Sequence, residues 1–339
     1  MERHIGDYHF IADPHCGFTA RWGKSLDENP GFAPVPELAD ISISNYCTKG
    51  CSFCYKNSTP QGTIMSLESY KMVLDQLEHP VYGSVFQVAL GGGEPLEHPQ
   101  FREIIDETVH RGIVPNFTTN GLHMTQDIAS FCKDRVGAVA VSTESISGIP
   151  QFCVRLLIEN GIRTNIHFVL QNDNIIEAIQ ILLGKYDKIL EGVNALIFLT
   201  FKPAGRGEKQ HLVREGIEFL DFLKAVKHKT TLVKIGFDAC FVPHLLHYDV
   251  VNSALVDTCE GGYFSVYIDE KCQVSPCSFS GNRDKYPLSE YPFYDIWLHK
   301  FEAFRARMTN KCIQNCQFKS ECRGACPYYP QITLCYHEH

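Results

Sequence analysis

The sequence predicts an α/β protein: a partial (β/α)6 barrel followed by a smaller cysteine-rich domain. From residue 41 to about residue 235, short apolar runs alternate with segments of helical periodicity, which is the pattern of repeated βα units around a parallel sheet. From residue 236 to residue 339 this alternation stops and cysteines become frequent. With 339 residues, 44% of them hydrophobic, the chain is long enough to bury a core in both parts.

Residues 1–40 precede the barrel and are rich in glycine, proline and aromatic side chains, so we expect a hairpin and an extended arm there. The predicted strands are residues 41–44, 85–90, 114–119, 138–143, 164–170 and 195–202. The predicted helices are residues 66–76, 99–111, 125–133, 150–160, 174–183 and 214–227. Right-handed crossovers curl such units into a barrel with its active site at the carboxyl ends of the strands. A doubly wound open sheet is the alternative.

Composition narrows the class of partner and the compartment. A formal charge of −8 and a pI near 6.0 argue against a nucleic-acid partner, and small or peptide substrates fit better. Fifteen cysteines indicate either metal binding or disulfides in an oxidising compartment. The amino terminus has no apolar run of signal-peptide length, and no stretch is long enough for a membrane span. We therefore expect a cytoplasmic, metal-binding protein with no membrane partner.

Three cysteines, Cys47, Cys51 and Cys54, follow the first predicted strand with CxxxCxxC spacing. Three thiolates on one loop can hold three irons of a four-iron four-sulfur cluster and leave the fourth iron open to a ligand that is not protein. A zinc site that takes its fourth ligand from elsewhere in the chain is the alternative. The sequence thus predicts a metal centre at the first strand end.

A run of glycines follows the second predicted strand: Gly91, Gly92 and Gly93, then Glu94. Consecutive glycines let a ligand approach the backbone closely, and a glutamate can accept a hydrogen bond from an ammonium group. A tight turn without a ligand is the alternative for the glycine run. Together with the cysteine loop, the run predicts a binding site for a charged ligand.

The cysteine loop, with Phe53 before its last cysteine, and the GGGEP run resemble the motifs of the radical SAM superfamily. The resemblance implies that S-adenosylmethionine binds the open iron and that the glycine run contacts its amino group. It also implies that Asn120 and Ser142, at later strand ends, meet its carboxylate and ribose. A common Asn-Gly turn and a helix-capping serine are the alternative roles of these two residues.

The same resemblance implies the chemistry. A reduced cluster cleaves S-adenosylmethionine, and the 5'-deoxyadenosyl radical that forms removes a hydrogen atom from a substrate. An electron donor such as a flavodoxin or a ferredoxin would reduce the cluster. The protein itself supplies orientation and a dry site.

The cysteines of the C-terminal region resemble the SPASM domain, an extension of radical SAM enzymes that carries two auxiliary four-iron clusters. The resemblance implies that Cys259, Cys277 and Cys326 bind the first auxiliary cluster. It assigns the second cluster to Cys312, Cys316, Cys322 and Cys335. Two departures from the family pattern are the spacing of Cys312 and Cys316, one residue longer than usual, and Cys272, which stands where the family usually has glycine.

The first auxiliary cluster lacks an obvious fourth ligand. Cys240, Cys272, or a substrate thiolate or amide at an open iron are the three alternatives. Zinc remains the alternative for the whole block, because cysteine pairs at short spacing also bind zinc.

Many SPASM-type enzymes modify peptides, so the resemblance implies oxidative modification of a ribosomally synthesised peptide with a carbon-carbon, carbon-oxygen or thioether crosslink. A peptide epimerase and a protein Ser or Cys dehydrogenase of the sulfatase-maturase kind would use the same frame. In an epimerase, an unligated Cys240 or Cys272 is a candidate hydrogen-atom donor, as is Cys132 or Cys153, and the sequence identifies no other catalytic residue. A zinc- or cluster-stabilised binding module without catalysis is the alternative from a different class.

Overall fold

The computed structural model describes residues 1–309, 318, 322–324 and 326–336. Its strands are β1 (Glu2–Ile5), β2 (Tyr8–Asp13), β3 (Phe18–Trp22), β4 (Leu38–Ser44), β5 (Gln87–Gly92), β6 (Val114–Thr119), β7 (Val139–Thr143), β8 (Thr164–Leu170), β9 (Ala195–Thr200), β10 (Lys234–Phe237), β11 (Ser265–Ile268), β12 (Gln273–Ser275) and β13 (Tyr286–Pro287). Its helices are α1 (Leu67–Leu77), α2 (Phe101–His110), α3 (Gln126–Cys132), α4 (Gln151–Glu159), α5 (Ile175–Leu182), α6 (Ile217–Lys227), α7 (Val242–His247), α8 (Phe293–Asp295) and α9 (Glu302–Thr309).

Strands β4 to β10 form the barrel wall, each paired in parallel with the next along the chain. The partial barrel that the sequence predicts is therefore confirmed, and the ends of all twelve predicted elements lie within three residues of the observed ones. The predicted count of six strands is wrong by one. Strand β10 was missed because four residues are too few to show a period.

Side chains on the barrel strands alternate between two environments. In β8, Ile166, Phe168 and Leu170 are buried beneath the outer helices, whereas Asn165 and His167 face the interior and are only half-buried. This period of two arises because successive side chains on a strand point to opposite faces. The barrel interior is thus lined partly by polar groups, and burial lowers the pKa of His167 to about 4.

The cysteine-rich region joins the same sheet. Strand β11 pairs in parallel with β4, and β12 and β13 extend the sheet beyond it. The order is β10-β9-β8-β7-β6-β5-β4-β11-β12-β13, so β10 is an edge strand and one side of the barrel stays open. The division of the chain at residues 40 and 235 remains a prediction.

The N-terminal strands β1 to β3 form a separate antiparallel sheet. Its apolar face packs Tyr8 and Phe10 against Phe86 and Phe264. Arg21 anchors this sheet to the rest of the protein, with its guanidinium 2.7 Å from Glu37 and 3.0 Å from Asp257. In the described part of the chain, no helix combines the length and apolar character that crossing a membrane requires.

Candidate active site

The first cysteine loop begins where β4 ends, at the carboxyl edge of the parallel sheet. The backbone after β5 holds its start: the Gly93 N–H donates to Ser44 O at 2.7 Å, and the Glu94 N–H donates to Tyr46 O at 2.9 Å. These two bonds continue the β4–β5 ladder beyond the sheet. The glycine run and the cysteine loop therefore form one local unit.

Two of the three glycines are required by this close approach. A β-carbon on Gly92 would overlap Ser42 Oγ, and one on Gly93 would overlap the Tyr46 carbonyl oxygen. Gly91 differs, since a β-carbon there would meet nothing within 4 Å. Gly92 and Gly93 thus hold the loop, and Gly91 borders open space where a ligand has room.

Glu94 ties together the ends of β5 and β6. Its carboxylate accepts hydrogen bonds from the Thr119 hydroxyl at 2.6 Å, the Asn120 N–H at 2.7 Å and the Leu96 N–H at 3.1 Å. Burial raises the pKa of Glu94, and these three donors oppose that rise. Glu94 therefore holds the ends of β5 and β6 together by hydrogen bonds, with no ammonium group needed for this role.

Arg206, which the sequence reasoning missed, clamps the cysteine loop from the loop after β9. Its Nε donates to Cys51 O at 2.7 Å, its Nη1 donates to Ser58 O at 2.8 Å, and its backbone N–H donates to Cys54 O at 3.0 Å. The preceding Gly205 has φ +59°, and a β-carbon there would overlap Cys54 O. A Gly-Arg-Gly run in the loop after a barrel strand was the available signal.

The three thiols of the loop, on Cys47, Cys51 and Cys54, are half-buried and close enough to influence one another electrostatically. Burial raises the pKa of Cys47 and of Cys51. Iron coordination would reverse this effect, because a coordinated thiol is deprotonated. A half-buried group of three neighbouring thiols therefore fits an iron-sulfur cluster.

The other predicted ligand-binding residues surround this loop. The Asn120 amide nitrogen lies 3.9 Å from Cys47 Sγ, and its oxygen accepts the Leu122 N–H at 2.9 Å. Ser142 is half-buried near the end of the neighbouring strand β7. Phe53 lines a cavity of about 260 Å³ together with Gln171, whose amide donates to Glu144 at 3.2 Å.

A second group of cysteines gathers beside the open side of the barrel: Cys240, Cys259, Cys277 and Cys326. Cys240 hydrogen-bonds to Cys326. Cys240 also lies close enough to Cys259 and Cys277 for its charge to raise the pKa of both thiols. Burial raises the pKa of Cys259 and of Cys277 to about 12. Four neighbouring thiols are the donor set of a cysteinyl iron-sulfur cluster.

Cys272 lies elsewhere. It occupies the turn between β11 and β12 with φ +56°, its N–H donates to Asp269 O at 2.9 Å, and its side chain packs against the main apolar core. Glycine adopts this left-handed conformation without strain, which explains the family preference at this position. The structure brings Cys240, and not Cys272, to the other three cysteines.

The remaining cysteines are described only in part. Cys322 is buried against Val242 and Leu246 of α7. The segment with Cys335 contacts the same helix, where the Leu334 N–H donates to His244 Nε2 at 2.9 Å. Cys312 and Cys316 lie outside the described residues. Among the residues described, no three His, Cys, Asp or Glu side chains are arranged to hold a single metal ion.

An aromatic pair connects the two cysteine groups. Tyr55, the residue after Cys54, packs its ring 4.6 Å (centroid to centroid) from the ring of Phe279. Its hydroxyl hydrogen-bonds to Ser278, the residue after Cys277. Residues adjacent to a cysteine of each group are thus in direct contact.

A cavity of about 840 Å³ lies between β10 and β11, along the open side of the barrel. Its lining includes Cys240, Cys259 and Cys277, together with Asp40 of β4 and Phe279. The Lys202 ammonium also borders it, 3.2 Å from Asp238 Oδ2 and 4.4 Å from the Phe279 ring centre. Three of the four cysteines of the second group therefore border a space large enough for part of a peptide.

Comparison with known proteins agrees with this geometry. Residues 41–186 match the radical SAM superfamily model. This part of the chain is a radical SAM domain. Its cofactors are a four-iron four-sulfur cluster and S-adenosylmethionine.

Individual relatives of the chain are distant. It is 25% identical, over 326 residues, to the mycofactocin maturase MftC of Mycobacterium tuberculosis, an alignment that covers 86% of this chain and 78% of the relative. Among solved structures, it resembles Streptococcus suis SuiB bound to the precursor peptide SuiA, with a TM-score of 0.67, 16% identity, and 87% and 72% of the two chains covered. It also resembles anSMEcpe with bound AdoMet (TM-score 0.60, 15% identity, 85% and 89% covered). The two structures establish the fold alone.

Proposed function

We propose that this radical SAM enzyme oxidatively modifies a ribosomally synthesised peptide by forming a carbon-carbon, carbon-oxygen or thioether crosslink. The observation that carries the proposal is the second cysteine group, which borders the large cavity on the open side of the barrel. Forming a new bond by removing two hydrogens requires an electron acceptor near the substrate. The names of two relatives, a mycofactocin maturase and a SuiB structure with its precursor peptide, support a peptide substrate.

The proposed ligands follow from the thiol groups. Cys47, Cys51 and Cys54 hold the cluster that binds S-adenosylmethionine. We assign the first auxiliary cluster to Cys259, Cys277 and Cys326 with Cys240 as the fourth ligand, because Cys240 hydrogen-bonds to Cys326. The second auxiliary cluster takes Cys312, Cys316, Cys322 and Cys335.

The bound cofactors supply the radical and the electron transfer, and the residues of the chain orient and shield them. Arg206 and the glycine run fix the cysteine loop by hydrogen bonds to its backbone. Gly91 leaves room for the methionine amino group, and Asn120 and Ser142 offer polar groups for its carboxylate and the ribose. Lys202 places a buried positive charge beside Cys240 and Cys277, which favours electron uptake there.

The test uses anaerobically prepared enzyme, reductant, S-adenosylmethionine and a candidate precursor peptide encoded beside the gene. A flavodoxin or a ferredoxin serves as the proposed physiological electron donor. We expect 5'-deoxyadenosine and a peptide that has lost two hydrogens, with fragmentation spectra that locate a crosslink between two residues. A peptide whose mass is unchanged in ordinary water, and higher by one deuterium substitution in heavy water, would instead identify an epimerase. An aldehyde at a single Ser or Cys would identify a dehydrogenase.

A further inference from the structure

Four carboxylates line the cavity beside the second cysteine group, and three of them are paired with cations. Asp238 lies 3.2 Å from Lys202, and Asp257 and Glu260 lie 3.0 Å and 2.5 Å from Arg21. The fourth is Asp40. Within residues 1–309 and the described positions that follow, no group donates a hydrogen bond to its side chain or forms an ion pair with it.

A carboxylate that borders a cavity without a partner is costly to keep ionised. Glu270, another acidic residue near β4, does have partners. Its carboxylate lies 3.2 Å from the Lys56 ammonium and accepts a hydrogen bond from the Ser42 hydroxyl at 3.0 Å. Asp40 has no such compensation, so its position needs a different explanation. The simplest is that the carboxylate is free to contact a substrate bound in the cavity.

The charged and titratable groups that face Asp40 are few. Lys56, the main cation near it, is engaged by Glu270 and by the Tyr267 hydroxyl at 2.7 Å. Tyr55 and Tyr267 face it from the cysteine loop and from β11, and on the β5 side its register partner is the uncharged Ala89. Across the cavity, Lys202 is already paired with Asp238. Burial therefore dominates and raises the pKa of Asp40 to about 7.

We propose that Asp40 is the catalytic base that takes up the proton released when the crosslink forms. This inference rests on the proposed function and names a residue for its second half-reaction. It follows from the cavity: the unpaired carboxylate of Asp40 and the thiols of Cys240, Cys259 and Cys277 line the same space. A substrate bound in this cavity can thus pass a proton to Asp40 and an electron toward the cysteines.

The step balances in atoms and electrons. The 5'-deoxyadenosyl radical removes one hydrogen atom from a substrate C–H bond and becomes 5'-deoxyadenosine. The resulting carbon radical bonds to a second substrate group, an O–H, S–H or C–H, whose proton passes to an Asp40 carboxylate oxygen. The one electron left over passes to an acceptor of the iron-sulfur class. The substrate has then lost two hydrogens, one as an atom and one as a proton with a separate electron.

The test compares wild-type enzyme with Asp40→Asn, which keeps the shape and removes the base. We expect 5'-deoxyadenosine formation to stay within about twofold while crosslinked peptide falls by about a hundredfold, the usual contribution of a general base. Freeze-quenched samples of the variant should accumulate a substrate radical in electron paramagnetic resonance spectra. Asp221→Asn, which removes an exposed carboxylate on α6 that pairs with Lys224, is the control and should behave as wild type.

Two further measurements do not depend on the loss of activity in one variant. Product formation by the wild type should rise with pH through about 7, because only the ionised carboxylate accepts a proton. Asp40→Glu should restore part of the product. In infrared spectra of the loaded enzyme without S-adenosylmethionine or peptide, protonated carboxyl absorption should disappear near the same pH. Asp40→Asn should lose the Asp40 part of this absorption and keep the part from Glu37, because burial also raises the pKa of Glu37 to about 7.

The outcomes separate this proposal from the proposed function. Full crosslinking by Asp40→Asn, or a parallel loss of 5'-deoxyadenosine and crosslink, would overturn the role of Asp40 alone. The absence of any titrating carboxyl band from the wild type, or the same titrating band in wild type and Asp40→Asn, would do the same. Wild-type enzyme that leaves every candidate peptide unmodified would overturn the proposed function and this inference together.

Discussion

The Cys240 thiol hydrogen-bonds to Cys326 across the open side of the barrel. Cys240 follows β10, the short edge strand, and Cys326 comes from the last part of the described chain. Their contact supplies the fourth thiol that the sequence pattern around Cys259 and Cys277 lacked. It also gives a direct way to test the ligand assignment.

Cys240→Ser is expected to lose one cluster, since serine is a poor substitute for a thiolate ligand. Iron should fall from about twelve to about eight atoms per chain, with a matching loss of visible absorbance. Cys272→Ser is the matched control because Cys272 packs against the apolar core instead, and its iron content should equal that of wild type. Equal iron loss in both variants would contradict the assignment.

Arg206→Lys should loosen the first cysteine loop. The guanidinium donates to Cys51 O and Ser58 O at the same time, and a lysine ammonium cannot reproduce this planar pair of donors. Losing one bond to a charged donor corresponds to about a tenfold change. We therefore expect 5'-deoxyadenosine formation without peptide to fall by about tenfold. Arg214→Lys, at an exposed arginine with one long bond to Gln210 O, is the control. Unchanged cleavage in Arg206→Lys would refute the clamp.

Gly93→Ala should disrupt the first site, since its β-carbon would overlap the Tyr46 carbonyl oxygen. Overpacking of this kind lowers the free energy of unfolding by about 1 to 3 kcal/mol, measurable by urea denaturation under anaerobic conditions. Gly91→Ala has open space around its β-carbon and should fold with wild-type stability. If Gly91 borders the proposed methionine site, Gly91→Ala should also bind S-adenosylmethionine more weakly than wild type, as measured by equilibrium dialysis.

Tyr55→Phe should cost about 1 kcal/mol of unfolding free energy, because it removes the hydrogen bond to Ser278 and keeps the ring on Phe279. Tyr55→Leu should cost more, since the aromatic contact contributes about 0.5–1.5 kcal/mol beyond simple burial. Urea denaturation measures both. Tyr82→Phe, at a partly exposed tyrosine, should change the stability by less than about 0.5 kcal/mol. Equal stabilities of Tyr55→Phe and Tyr55→Leu would argue against the ring contact.

The sequence predicted the barrel well because its strands and helices bury one face each. Alternation in β8 and helical periodicity in α5, for example, are local signals that a short window contains. The three-cysteine loop and the GGGEP run are local in the same sense. Their place at adjacent strand ends then follows from parallel pairing.

Only the tertiary structure brought Cys240 to Cys326, placed Arg206 on the cysteine loop and left Asp40 without a partner beside the cavity. Each relationship joins residues from distant parts of the chain, and no spacing in the sequence encodes the distance between them. The sequence by itself determined which chemistry the first loop carries, because ligand type and local spacing suffice for that. The path of the barrel wall decided which thiols, cations and carboxylates meet, because it sets how far apart the strand ends lie.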